Sequence, residues 1–563
     1  MDALVNDFNS FFTEKISEIR KNIPIIPSIT ESTNINPKPV QKLTEFKPVT
    51  IEDIQLILNE SGVKTSSNDP LPSFILEENM DFWLPIICDL VNTSITTGNI
   101  DGAKLAHLTP LIKGHSLDSS KRKNYRPISN LAFIGKLTER VVKEQLNEHL
   151  TVNNLQIPNQ SGYKKYHSTE TLLIRVVNDI LIASDEGSAT VVMLLDLSAA
   201  FDTVDHKKLL HILKHEIGID GTALKWFSSF LCGRCQKVKI GEFESPEIII
   251  KYGVPQGSVL GPILFNIYIR SLYATVHSLR FHVQGFADDH QIYRKFKPRN
   301  EHTILAHELP LVFQEIESWM ALHYLLINAG KTEIIVFGCP SLLAQLQIHG
   351  CFINSSVCIR FVNTAKNLGF KLDCNLNFKC QINSLKTSCF NKLRKINKMH
   401  VHLSTKQIQS LVQGLVMSSL DYCNALYNGI SKSQLHQLHI IQNRACRTIL
   451  NLKQSDDVDL HLKDLHWLKI EQRIEFKILL LTFKALIGTA PSYIQDLISY
   501  INVSSSRYPS LKVPVCTSSH GQRAFSVSAP KLWNSLPHYI QQCDSVSSFK
   551  KKLKHYLFTR SHL

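Results

Sequence analysis

Phe286-Ala287-Asp288-Asp289 stands between two apolar segments, with Phe281, Val283 and Phe286 on one side and Ile292 and Tyr293 on the other. Alternating apolar positions around a two-residue acidic turn predict a β-hairpin with the carboxylates at its tip. Adjacent aspartates repel each other unless a cation screens them. Alone, an Asp-Asp pair most often marks a solvated turn. A second acidic stretch upstream supplies the missing partner. Val191-Val192-Met193-Leu194-Leu195 reads as a buried strand that ends on Asp196, and a small-residue turn, Leu197-Ser198-Ala199-Ala200-Phe201-Asp202, follows. A carboxylate at the end of a buried strand is costly unless it is paired or metal-bound. Asp196 with Asp288 offers hard oxygen ligands to two Mg²⁺ ions, which keep waters and accept substrate phosphates as further ligands. Two such metals suit in-line phosphoryl transfer, one activating the attacking oxygen and the other stabilising the leaving group.

The 563 residues are too many for one core and predict roughly three or four domains. A hydrophobic content of 44% is ordinary for a globular chain. No apolar run reaches the ~18 residues of a membrane span. The first residues, Met1-Asp2-Ala3-Leu4-Val5, lack a basic segment followed by an apolar one. The expectation is an intracellular protein with no membrane partner, in the nucleus or the cytoplasm. Thirteen scattered cysteines predict reduced thiols. Cys232-Gly233-Arg234-Cys235 has no second pair at zinc-knuckle spacing and reads as a turn between strands. The net charge of +14 favours an anionic partner. From Asn375 to Lys453 eleven Lys or Arg residues stand against one acid, Asp421. A solvated helix face mixes its signs, so this one-signed segment favours a polyphosphate.

Along the chain, Leu4, Phe8, Phe11, Phe12, Ile16 and Ile19 predict an amphipathic docking helix over the first residues. Ile23 to Pro48 reads as a linker and Ser66 to Pro72 as a turn cluster. Thr50 predicts a helix start. Leu108 to Gly114 reads as a strand, Gly135 to Leu150 as a helix, and Ser168-Thr169-Glu170 as another helix start. Gln236–Ile240 and Ile248–Ile250 read as paired strands, and Ile263 to Ala274 as one helix. Ile382, Leu385, Cys389, Leu393 and Ile396 form one apolar helical stripe.

Leu195-Asp196-Leu197-Ser198-Ala199-Ala200-Phe201-Asp202, Gly253-Val254-Pro255-Gln256-Gly257-Ser258-Val259-Leu260-Gly261-Pro262 and Phe286-Ala287-Asp288-Asp289 occur in that order. They closely resemble motifs A, B and C of reverse transcriptases, in the form found in non-LTR (LINE-type, jockey-like) retrotransposons. The resemblance runs from about Lys104 to Asp373 and, more loosely, to the C-terminus. It implies an α+β right-hand polymerase of fingers, palm and thumb with a mainly helical C-terminal extension. The expected segments are 1–100 before the polymerase, 101–373 for fingers and palm, 374–455 for a basic thumb and 456–563 for the extension. The implied reaction is RNA-directed DNA synthesis with Mg²⁺, or Mn²⁺ as a substitute. An RNA template, a DNA primer and deoxynucleoside triphosphates are the partners. Ahead of the polymerase segment no nuclease motif is recognisable, and the chain reads as a fragment or a truncated gene copy.

By the same resemblance Asp196, Asp288 and Asp289 are the catalytic acids and, with the backbone carbonyl of Leu197, the metal ligands. Lys113 and Arg126 hold the triphosphate, for which Arg offers a planar fork and Lys a point charge. Phe201 is the steric gate that excludes a ribose 2′-OH, and Gln256 contacts nucleotide or template. The stretch Trp319 to Phe337 resembles motif D, a helix ending in Asn328-Ala329-Gly330-Lys331-Thr332, with Lys331 protonating the pyrophosphate. Asn367-Leu368-Gly369-Phe370 resembles the primer grip. The interleaving Lys164-Lys165-Tyr166-His167 suits a template strand, with rings stacking on bases and cations on phosphates. Lys392, Arg394, Lys395 and Lys398 suit the phosphates of a duplex. This chain departs from the family pattern at His290, His323 and Ala329-Gly330. The alternative reading is a catalytically inactive nucleic-acid-binding remnant of the same fold. A DNA-templated polymerase is disfavoured by the wording of the second and third motifs.

Overall fold

The computed structural model describes residues 1–24, 41–66, 69–100, 102–114, 117–346, 351–354, 357–501 and 510–562. Most of the expected linker, with Ser67 and Asn68 of the turn cluster, lies outside the described residues. Two compact units are formed, one from residues 1–157, 196–279 and 312–328, the other from 158–195, 280–311 and 329–563. No helix among the described residues is long and apolar enough to cross a membrane. Eleven cysteines, all those outside residues 351–358, are free thiols.

The elements that matter begin with helices α1 (Asp2–Lys21) and α2 (Ile51–Ser61), strands β1 (Leu105–Ile112) and β2 (Tyr125–Asn130), and α3 (Phe133–Val152). Then come α4 (Thr169–Asp185), β3 (Ala189–Leu195), α5 (His206–His215), α6 (Gly221–Leu231), β4 (Cys235–Ile240), β5 (Phe243–Glu244) and β6 (Ile248–Ile249). The middle of the chain supplies α7 (Gly261–Tyr268), α8 (Arg270–Ser278), β7 (His282–Phe286), β8 (Asp289–Phe296), α9 (Leu309–Leu322) and β9 (Glu333–Phe337). After these follow β10 (Thr364–Asn367), β11 (Phe370–Asp373), α10 (Lys379–Lys398), α11 (Lys432–Leu450), α12 (Ile470–Leu486) and α13 (Val546–His562).

In the first unit β1 pairs antiparallel with β2 and parallel with β4, and β4 carries β5 and β6. The expected pairing into the second motif is present, with Cys235 opposite Ile249 and Gln236 opposite Ile248. The docking helix is α1: Val5, Phe8 and Phe12 bury against Leu108 and Val238. Burying each large apolar side chain stabilises by about 1.5–3 kcal/mol. Asn9, also buried, donates to the Ser245 hydroxyl at 2.8 Å. α2 starts where Thr50 predicts, because the Thr50 hydroxyl accepts the Asp53 N–H and the Asp53 carboxylate accepts the Thr50 N–H.

In the second unit a sheet runs β7–β8–β3–β9. β3 is antiparallel to both neighbours, with Leu195 opposite His290 and Val192 between Tyr293 and Ile335. All of β3 except Leu194 is buried, which is why its sequence is continuously apolar. β10 and β11 form a hairpin whose turn residues, Leu368 and Gly369, have φ of 46° and 84°. α10 buries the predicted stripe of Ile382, Leu385, Cys389, Leu393 and Ile396. The C-terminal segment is helical, and Phe483 stacks on Phe549 with ring centroids 4.2 Å apart. His466 is structural: it takes φ of 52° and its ring packs on Phe558.

Three local expectations are corrected. The Cys232–Cys235 turn joins helix α6 to strand β4, not two strands. The helix after the second motif is two, α7 and α8, broken at Ile269, so that Leu264, Phe265, Ile267 and Tyr268 bury on one and Leu272, Tyr273 and Val276 on the other. The motif D helix stops at Leu322, short of Asn328. The Leu325 N–H returns to the Met320 carbonyl at 2.8 Å, Tyr324 turns to φ of 53°, and the chain leaves the helix.

Candidate active site

The acidic hairpin is β7–β8, with Phe286 paired to Asp289 across the turn and Ala287 at φ of 58°. Gln160 holds that turn. Fully buried, it accepts the Ala287 N–H at 2.9 Å and donates to the Ala287 carbonyl at 3.0 Å. The same Gln160 oxygen accepts the Gly162 N–H at 2.9 Å. A Cβ on Gly162 would stand 2.3 Å from the Ala287 nitrogen, so only glycine lets the two backbones approach. Asn159 and Ser161 add backbone bonds to Gly285 at 2.9 and 2.7 Å. The Ser161 hydroxyl bonds the Tyr493 hydroxyl at 2.8 Å, and Tyr493 also bonds Thr171 at 3.0 Å. The C-terminal segment thereby braces the loop behind the hairpin. The sequence marks Gln160 and Gly162 only as the start of a small motif, and no signal marks Tyr493.

His290 stands one residue past the aspartate pair. Its Nδ1 lies 2.9 Å from the Asp288 carbonyl, and burial pushes its pKa down to about 4, so the ring is neutral at physiological pH. His323, another departure, stacks on Trp319 with centroids 3.8 Å apart and bonds the Trp319 carbonyl. Both substitutions have structural occupations.

In the chain Asp196 follows Leu195, the last residue of β3. In the first unit its carbonyl accepts the Asn328 N–H at 2.8 Å, and the Ser198 N–H donates to the Leu326 carbonyl at 2.9 Å. This bridge pairs Leu197 with Ile327 and leaves the Leu197 carbonyl outside both bonds. It ties motif A to the motif D loop, a pairing that local sequence does not announce. Further along the turn Phe201 stacks on Phe265, centroids 4.6 Å apart at 26°. Gln256 donates to both oxygens of Asp202 at 2.7 Å. The loop that carries Gln256 is anchored by Ser129, whose N–H donates to the Gln256 carbonyl at 2.9 Å. The buried Glu139 carboxylate accepts the N–H groups of Val259 and Leu260 at 2.6 and 3.0 Å. Burial raises the Glu139 pKa against those bonds and the nearby Arg234 charge.

Among the cations, Arg126 is exposed and opposite Leu111 in the β1–β2 register. Lys113 follows the end of β1, and its N–H donates to the Asn124 carbonyl at 2.8 Å, just before β2. The Lys113 ammonium donates to the Lys123 carbonyl at 2.7 Å. In the loop after Gln160, Tyr163 and Tyr166 are 59% and 55% exposed, and Lys165 is exposed with them. Lys164 is partly buried, and desolvation lowers its pKa to about 8. Lys331 is exposed in the turn before β9. On α10, Arg394, Lys395 and Lys398 are exposed, but Lys392 donates to the Leu415 carbonyl and the Ser419 hydroxyl, each at 2.9 Å.

Asp196, Leu197, Lys113, Arg126, Phe201 and Gln256 belong to the first unit. Asp288, Asp289, Lys164, Lys165, Lys331 and the α10 cations belong to the second. Three carboxylates and a carbonyl are the hard oxygen donors that Mg²⁺ prefers. Among the described residues no three His, Cys, Asp or Glu side chains form a closed metal cage. Magnesium does not require one, since it binds through one or two carboxylates plus substrate phosphates.

Residues 113–372 match the family model described as reverse transcriptase (RNA-dependent DNA polymerase). The RNA-directed DNA polymerase from mobile element jockey of Drosophila funebris is 28% identical over 429 residues, 73% of this chain and 45% of that protein. The probable RNA-directed DNA polymerases from transposon BS and transposon X-element of Drosophila melanogaster are 26% and 27% identical over 58% of this chain. They are covered over 36% and 35% of their own lengths, so the chain spans less than half of each of these relatives.

Proposed function

We propose that this chain, which carries a reverse transcriptase domain over residues 113–372, is the RNA-directed DNA polymerase of a non-LTR (LINE-type) retrotransposon. RNA is the template, DNA the primer, and deoxynucleoside triphosphates the substrates, in the nucleus or the cytoplasm. The reading rests above all on one observation. β3 delivers Asp196 as the residue after Leu195, and Leu195 pairs with His290, two residues past Asp288 on the acidic hairpin.

Asp196, Asp288, Asp289 and the Leu197 carbonyl would hold two Mg²⁺ ions, which supply positive charge to the attacking primer oxygen and the departing pyrophosphate. Lys113 and Arg126 grip the triphosphate at the end of the β1–β2 hairpin, once Lys113 releases the Lys123 carbonyl. Phe201, backed by Phe265, fills the space of a 2′-OH. Gln256 is held extended by Asp202 until a nucleotide or template base takes its amide. Lys331 delivers a proton to the pyrophosphate. Lys164 and Lys165 meet the template, and the exposed cations of α10 meet the duplex as part of a thumb over 374–455. The fingers and palm span 101–373.

Primer extension on poly(rA)/oligo(dT) with Mg²⁺ tests this reading. Asp196→Asn and Asp288→Asn should each slow extension by roughly 10³-fold or more while RNA binding is preserved. Extension by either variant within about tenfold of wild type would overturn the assignment.

A further inference from the structure

Arg20, one residue from the end of α1, belongs to none of the motifs. Its side chain is largely buried, at 13% exposure. One guanidinium nitrogen donates to the Thr203 carbonyl at 3.2 Å and another to the Asp205 carboxylate at 2.9 Å. The guanidinium carbon lies 3.8 Å from the ring centroid of Tyr252 and 4.3 Å from that of Tyr324. All these residues belong to the first unit.

What Arg20 gathers bears on nucleotide choice. The N–H groups of Asp202 and Thr203 return to the Ala199 carbonyl at 2.9 and 3.1 Å and close the turn that carries Phe201, and Asp205 just after it caps α5 by accepting the Lys208 N–H at 2.9 Å. Tyr252 leads into Gly253, whose N–H donates to the Val204 carbonyl at 2.8 Å. A Cβ on Gly253 would stand 2.7 Å from the Asp202 carbonyl oxygen. The next N–H, of Val254, donates to the Phe201 carbonyl at 2.9 Å. The two segments are thus zipped together, and Arg20 pins both from outside. Alongside lies a cavity of about 270 Å³ lined by Phe12 and Ile16 of α1 and by Ser129, Asp202, Tyr252 and Gln256. α1 therefore walls the space into which the polar side chains of both motifs project. Only arginine supplies a planar fork for two acceptors and flat faces for two rings; lysine supplies one point charge.

We propose that Arg20 is a positioning residue for nucleotide selection. By fixing the Thr203–Asp205 segment, which follows the Phe201 turn, against Tyr252 it sets where the Phe201 ring meets the sugar of the incoming nucleotide. This rests on the polymerase reading above. The test uses the full chain with Arg20→Ala and Arg20→Lys, extension with dTTP and UTP, primer–template binding, thermal melting, and amide exchange at Gly253 and Val254. Arg20→Ala should raise KM for dTTP and cut the dTTP/UTP preference, each by about fivefold or more, with primer–template affinity within about twofold. Arg20→Lys should restore only part of the preference. Amide exchange at Gly253 and Val254 should quicken in both variants. A fall in kcat equal for both nucleotides, with unchanged KM and preference, would make Arg20 a general stability contact and overturn the proposal. If the wild-type chain extends no primer, the polymerase reading falls separately. Exchange then decides the positioning role, and wild-type rates at Gly253 and Val254 in Arg20→Ala would overturn it.

Discussion

Gln160 closes the backbone of Ala287 from both sides, accepting its N–H at 2.9 Å and donating to its carbonyl at 3.0 Å. Ala287 sits at φ of 58°, a left-handed conformation that costs about 1–2 kcal/mol for a residue with a Cβ. Two buried hydrogen bonds of about 1 kcal/mol each offset that cost. Gln160→Glu keeps an acceptor, removes the donor and buries a charge. It should destabilise by about 2–3 kcal/mol in urea unfolding and slow single-turnover extension more than it weakens template binding. Wild-type stability and rate in Gln160→Leu would mean that the turn holds itself.

Phe201→Ala should admit ribonucleotides. On the proposed reading the ring fills the space of a 2′-OH, so its removal should delete a repulsive element while leaving the triphosphate's proposed partners in place. The measurement is the ratio of kcat/KM for dGTP and GTP. Since Phe201 stacks on Phe265, some loss of stability accompanies the change, but an unchanged ratio would make Phe201 a packing residue alone.

The exposed cations of α10 should set the salt dependence of duplex binding. Changing Arg394, Lys395 and Lys398 together to Gln should weaken binding to all sequences alike. The log K against log[salt] slope should flatten by about 0.9 for each phosphate no longer neutralised, if the duplex behaves as B-DNA. Products should shorten under a trap while the first addition keeps its rate. Lys392→Gln should behave differently, lowering the melting temperature and sparing the slope, because Lys392 is committed to Leu415 and Ser419. Filter binding across a salt series separates the two sets.

Template binding should carry the titration of Lys164. Its pKa is down to about 8 because burial disfavours the ammonium form, so the charge is present below that pH and lost above it. RNA affinity should fall between pH 7 and 9, a range in which an ordinary lysine stays charged. Lys164→Arg keeps its charge and should flatten the fall. Stability moves the other way: the folded pKa lies below the unfolded one, so stability rises as pH climbs from about 8 towards 10.5. Equal pH dependence in wild type and Lys164→Arg would remove Lys164 from the template path.

By itself the sequence determined what depends on neighbours within a turn or two of chain. The continuous apolar run of β3, the stripe of α10, the Thr50 cap and the acidic hairpin follow from period and end signals, which act over a few residues. The three motifs in order carried the resemblance to reverse transcriptases, because acidic side chains and glycines are legible as residue types. Pairings across long stretches of chain were decided only by the tertiary structure. Gln160 on Ala287, Glu139 under Val259 and Leu260, Tyr493 behind Ser161 and Arg20 on Thr203 and Asp205 involve side chains that are merely polar until burial gives each its fixed partners. The motif D helix shows the same division. No glycine or proline stops it after Leu322. What ends it is a backbone return from Leu325 to Met320 and a bridge from Leu326–Asn328 to Asp196–Ser198, more than a hundred residues away in sequence. Helical periodicity cannot register that bond, because the partner that satisfies the backbone there comes from another part of the fold.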